Sequence, residues 1–366
     1  MILAALSPLC LAAGDKKAPK QSKEAVKDLD TAVKLLNAGQ VDRGVQALEA
    51  IVAAYPEDPM AEKAKAFLLD FGVGKEVRIV LDDRKVFRGT FKLPDKDVLK
   101  LSEDVLKEVR GQYKGTEPFF EKAKLVVQFY DSDARYKKVT GLITTSGHFE
   151  ISSMDYRKLT LAGKIVWYFP KEAKTLKDRQ TTMRSRLCHE VAHYLNAVHF
   201  AALSPPIINE GIACYFQSRL NTEYYQYYRT TDREEIEGNA RNGLNAIAKY
   251  DDFAKMLQGT RGFGRGDLMI SRWYGLCYAV VDFIDQGQLN SKKASIEQLL
   301  GWLKSYSETV VQESGVQSGG DESRSQLLSG GGREVLERIV QSFYGASLQD
   351  FHAALVKHIM TKYKQR

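Results

Sequence analysis

The run His189-Glu190-Val191-Ala192-His193 restricts this chain more than any other feature of it. On an α-helix, positions i and i+4 lie one above the other on one face, so both imidazoles can turn toward a single ion. Glu190 neighbours that face. It reaches the ion less easily than the histidines do, but it can reach a water beside it, which is what a general base requires. The chain has only 6 histidines in 366 residues, so this pattern should arise by accident in well under about one chain in a hundred of such composition. The bland alternative is a surface helix that happens to carry these residues.

A catalytic zinc site needs a third protein ligand and an open fourth position. Two residues are candidates. Glu210 stands in Pro205-Pro-Ile-Ile-Asn209-Glu210-Gly211-Ile-Ala-Cys214-Tyr-Phe216, where it would project from a second helix packed on the first, and sixteen residues separate it from His193. His199 is the other, on the same helix beyond Asn196. That choice requires a sharp turn at Asn196, and asparagine is the least costly replacement for glycine in a left-handed conformation.

The pairing of the first motif with Asn209-Glu210-Gly211 and a nearby aromatic residue resembles the gluzincin zinc metallopeptidases, in particular the peptidase MA-like family. The resemblance covers roughly residues 120 to 290 and is concentrated in these two motifs. It implies one Zn2+ held by His189, His193 and Glu210, Glu190 as the base, and hydrolysis of peptide bonds in a peptide or protein substrate. It also implies a role for Tyr274, which lies 64 residues beyond Glu210 at the start of an apolar helix. In related aminopeptidases a tyrosine so placed donates a hydrogen bond to the oxyanion, as a phenol neutral near pH 7 can. With His199 as third ligand the spacing resembles the metzincins instead, although neither Met256 nor Met269 makes a convincing methionine turn. The chain departs from the gluzincins one turn after Glu210, where several of them have a carboxylate that orients a ligating histidine. Here that residue is Cys214, a poor acceptor for an imidazole N–H.

The expected fold class is α+β: a thermolysin-like gluzincin domain with a mixed sheet and a mainly helical second half, preceded by a helical hairpin and a small β unit. Residues 1–13 are apolar, end in small residues and resemble a signal peptide without its basic start, which points to a secreted or cell-envelope protein. Residues 20–72 have helical periodicity broken at Asn37-Ala-Gly-Gln40 and resemble a tetratricopeptide unit, a possible docking site for a protein partner that otherwise packs on the next domain. Alternating residues from Val77 to Thr90 place the β unit in 75–100. The peptidase domain is then assigned to 101–290 and a helical C-terminal region to 291–366, with a Gly/Ser-rich loop over 315–332. Within the peptidase domain, Gly141 to Ser153 has the character of an edge strand that could pair with an extended peptide, with Glu150 as an exposed strand charge.

The net charge of +7 comes from 53 basic and 46 acidic residues. That is a mixed, solvated surface with no basic stripe interleaved with aromatics, which argues against a nucleic-acid partner. No later segment has the ~18 to 20 uninterrupted apolar residues of a membrane span. Setting Cys10 aside with the leader leaves three cysteines, an odd number with no Cys-x-x-Cys pair, so a disulfide framework is not expected. A rival of another class is a scaffold protein that uses the hairpin and no longer uses its peptidase-like site.

Overall fold

The computed structural model describes residues 22–37, 40–70, 78–80, 85–87, 95–130, 136, 147–168, 175–225, 230–257, 267–314 and 331–363. The leader-like segment 1–13 and most of the Gly/Ser-rich stretch lie outside them. The chain divides into two units, Met1–Gly74 and Lys75–Arg366.

The first unit contains helices α1 (Lys23–Asn37), α2 (Val41–Ala54) and α3 (Pro59–Asp70). Ala25, Leu29 and Ala32 of α1 meet Val45, Leu48 and Ile51 of α2 and Met60, Ala64 and Leu68 of α3, the spacing that puts apolar residues on one helical face. The expected hairpin is therefore extended by a third helix. Proline is favoured at the first helical position because its missing N–H would have no partner there, so Pro59 opens a third helix. Asp58 fixes that start by accepting Met60 N–H at 2.7 Å and Ser22 N–H at 2.7 Å.

The second unit is mixed α and β. Its sheet has the order β2-β1-β3-β5-β4, from β1 (Arg78–Val80), β2 (Lys85–Phe87), β3 (Lys122–Tyr130), β4 (Gly147–Asp155) and β5 (Thr160–Tyr168). β3 and β5 run parallel; β1 is antiparallel to β3, and β4 to β5. The small β unit expected over 75–100 is therefore not separate, because backbone hydrogen bonding from β1 to β3 joins it to the main sheet. Nor does the C-terminal region stand apart. Leu299, Leu336, Phe351 and Ile359 belong to the same core as Val191 and Ile212.

Helix α4 (Asp95–Arg110) precedes β3. Helix α5 (Leu176–His199) carries the zinc-type motif and starts with a Thr175/Asp178 capping box, in which side chain and backbone satisfy each other's end groups. From Leu187 to His199 every residue of α5 is buried, as expected for a helix covered on several sides: it meets α4, β4, β5 and α6 (Pro206–Leu220). Its approach to the sheet depends on Gly163 of β5, where a β-carbon would lie 2.5 Å from the Phe149 ring and 3.1 Å from that of Tyr194. Helix α7 (Asp232–Gly243) follows the two-stranded ribbon β6 (Tyr224–Tyr225) and β7 (Thr230–Thr231), and α8 is Tyr250–Met256. Helix α9 (Asp267–Gln286) packs on α6 and α7, and α10 (Ile296–Ser314), α11 (Gly331–Tyr344) and α12 (Leu348–Lys362) complete the unit. No helix among the described residues is long and apolar enough to cross a membrane.

Candidate metal centre

Helices α5 and α6 bring His189, His193 and Glu210 together. His193 Nε2 lies 3.1 Å from His189 Nε2, and Glu210 Oε2 lies 3.4 Å from His189 Nε2 and 3.3 Å from His193 Nε2. A tetrahedral ion bonded at about 2.0–2.1 Å has ligand-to-ligand edges of roughly 3.3–3.4 Å. The three donors thus already stand at the separations of three corners of such a tetrahedron. Glu210 Oε2 is buried and makes no well-formed hydrogen bond, only these ion-pair contacts to the two imidazoles, so a cation among the three atoms would satisfy it better.

Electrostatics agree with the geometry. Burial works against a charged His193, but the facing Glu210 carboxylate outweighs it and raises the imidazole to about 9. Burial works in the opposite sense on Glu210, and the two histidines hold its carboxyl far below the usual range. Imidazole and carboxylate thus each favour the other's charged form.

The cleft at this cluster has a volume of ≈ 250 Å³. Glu190 and Tyr274 also line it, as do Asn196, Asn209 and Ser204, and residues Gly147 to Ile151 of β4. Tyr274 enters from α9, its ring centroid 6.1 Å from that of His189. Burial, and then the charge of Glu210, push its phenol well above the ordinary value, so it stays a neutral donor. The cleft-lining stretch of β4 ends at a β-bulge between Ile151 and Ser153, and β4 is the last strand of the sheet. Glu150 is an exposed strand charge, as expected, and also pairs with Lys164 at 3.7 Å and His148 at 3.5 Å.

His199 is not brought to the cluster. α5 continues through Asn196 instead of turning there, and carries His199 to a buried position where Nδ1 lies 3.3 Å from Thr116 Oγ1 and the ring stacks on Tyr113 at 4.8 Å. Asn196 has a different task. It accepts a hydrogen bond from Tyr113 Oη at 2.8 Å and donates one to Asn209 Oδ1 at 2.8 Å, tying α5 to the residue before Glu210. The chain turns later, at Ala201 and Ala202, which hold φ values of 51° and 58°. Each costs about 1–2 kcal/mol in a non-glycine residue. The turn is secured by bonds from Ala202 N–H to Ala197 O and from Tyr156 Oη to Ala201 O.

The residue that faces His189 Nδ1 is Gln217, through Oε1 at 3.0 Å, while Cys214 Sγ lies farther off at 3.9 Å. The position singled out in the sequence, Cys214, is thus not the one that orients His189. Gln217 falls on the same face of α6 as Glu210, seven residues on, so helical periodicity carried the signal. Ser185 and Asp232, which hold Gln217 from behind, left no trace in the sequence. No family model, curated protein or solved structure matches this chain.

Proposed function

We propose that this protein is a zinc metallopeptidase of the gluzincin kind, with His189, His193 and Glu210 as ligands. The convergence of three donor atoms at tetrahedral spacing, in a cleft that also holds Glu190 and Tyr274, carries this reading. Three protein ligands leave one coordination position free, as in catalytic rather than structural zinc sites. Zinc, when bound, would polarise a peptide carbonyl and acidify a water. Glu190 would take a proton from a water in the cleft and return it to the leaving amine, and the neutral Tyr274 phenol would donate to the developing oxyanion. The terminal strand β4 offers backbone groups along the cleft with which an extended peptide could pair.

The arrangement of a mixed sheet with the motif helix across it and a helical second half supports a thermolysin-like architecture. Export to the cell envelope or outside the cell, and a docking role for the N-terminal helices, rest on sequence alone. The decisive variant is Glu190→Gln. It should bind one equivalent of zinc and lose about 10²- to 10⁴-fold in kcat on a peptide library. Unchanged turnover, or wild-type protein without zinc after purification in its presence, would overturn the assignment.

A further inference from the structure

Behind His189 lies a buried polar chain whose hydrogens can be placed by elimination. Gln217 Nε2 donates to Ser185 Oγ at 2.9 Å and to Asp232 Oδ1 at 3.2 Å. Ser185 Oγ donates to the same Asp232 oxygen at 3.1 Å, and Asn221 Nδ2 to Asp232 Oδ2 at 2.5 Å. Ser185, Gln217, Asn221 and Asp232 are all buried. A carboxylate only accepts hydrogen bonds, so the Gln217 amide must turn its NH2 toward Asp232 and its oxygen toward His189. An oxygen facing His189 Nδ1 at 3.0 Å requires a proton on that nitrogen. A neutral imidazole then has its lone pair on Nε2, the atom directed at Glu210 and His193.

From this we infer that Asp232 and Gln217 are positioning residues: the carboxylate of Asp232, acting through the Gln217 amide, locks His189 in the Nδ1–H tautomer that presents Nε2 as a metal donor. The usual solution sets a carboxylate or carbonyl against the ligating histidine. In this chain the charge sits one residue further back, at the start of α7, and a neutral amide passes on its orientation. The first residue of α7 thereby becomes part of the metal site, although it does not lie in the ligand cluster. The inference rests on the metal site proposed above for its functional meaning, but the tautomer is a property of the protein without metal.

The test compares wild type, Asp232→Asn and the double variant Gln217→Glu/Asp232→Asn, each as full chain, for folding by circular dichroism and for zinc affinity by competition with a chromophoric chelator. With Asn at 232 the Gln217 amide is free to reverse, and zinc affinity should fall about 10- to 100-fold. In the double variant a glutamate at 217 accepts from His189 directly and an asparagine at 232 donates to it, so affinity should return to within a few-fold of wild type. A folded Asp232→Asn protein that binds zinc like wild type overturns the inference, as does a folded double variant that stays as weak as the single one. Nitrogen chemical shifts of 15N-histidine-labelled, metal-free wild type, assigned with His189→Gln, provide a measurement independent of variant folding. A proton on His189 Nδ1 is expected, with or without a second one on Nε2 toward Glu210; a His189 protonated at Nε2 alone overturns the inference. Wild type that shows the Nδ1–H tautomer but binds no zinc would instead sink the peptidase reading.

Discussion

Gly211 of α6 lies against the main chain of Cys277 in α9: a β-carbon at position 211 would fall 2.5 Å from the Cys277 carbonyl oxygen. This contact explains why glycine follows Glu210. It lets α9 approach closely enough to bring Tyr274, one turn before Cys277, into the cleft. Gly211→Ala should therefore destabilise the protein by about 1–3 kcal/mol, as overpacking a filled core does, and should lower zinc affinity at the same time. Urea unfolding of the metal-free protein separates the two effects; stability equal to wild type would show that the helices have slack.

If Tyr274 supplies the oxyanion donor, Tyr274→Phe keeps the ring and loses only the hydroxyl. The expected loss is about 10²- to 10³-fold in kcat, as for removal of one oxyanion donor, with zinc content and KM little changed. A fall in KM-related binding with kcat intact would assign the tyrosine to substrate contact instead.

The two candidates for third ligand differ in what their removal should do. Glu210→Ala leaves the two imidazoles without their carboxylate and should abolish stoichiometric zinc binding. His199→Ala removes a ring stacked on Tyr113 and should cost stability while the purified protein still holds one zinc. Metal analysis after dialysis decides between them, and zinc loss confined to His199→Ala would reverse the ligand assignment.

His199 also has a pH signature. Burial, followed by the positive charges of Arg110 and Lys304, lowers it to about 4, so the folded state resists a proton that the unfolded chain accepts below about 6.5. In that window the unfolded state binds more protons, and stability falls as pH drops from about 6.5 toward 4, by up to roughly 1.4 kcal/mol per pH unit from this group. Above about 6.5 its contribution is constant. The difference in slope between wild type and His199→Gln, read from urea unfolding at successive pH values, should show this loss; parallel curves would refute it.

The three described cysteines are free and buried. Burial raises the Cys188 thiol to about 12 and pushes Cys214 and Cys277 well up too. Since the thiolate is the reactive form, none of the three should react with iodoacetamide at neutral pH until denaturant is added. Peptide mapping by mass spectrometry is the check, and labelling of Cys214 in the native protein would reveal that the site opens.

Helical periodicity made α5, α6, α9 and the last two helices legible in the sequence, because it is a local pattern of apolar residues. Helices α4, α7, α8 and α10 went unread. The boundary between β unit and main domain was misplaced for a related reason: pairing of Ile79 with Val127 links residues far apart in sequence, and strand partnership has no local code.

By itself the sequence determined that two imidazoles and an acid would share a helical turn, since the spacing from His189 to His193 fixes that wherever a helix forms. It also favoured Glu210 as the third donor, through Asn209-Glu210-Gly211, with His199 as the competitor. Only the tertiary structure decided which of them meets the pair. Continuation of α5 past Asn196 sends His199 toward Tyr113, and the left-handed turn at Ala201 and Ala202 folds α6 back so that Glu210 arrives. The orientation of His189 was likewise settled by Gln217, Ser185 and Asp232, which assemble from different elements because a buried imidazole N–H must find an acceptor.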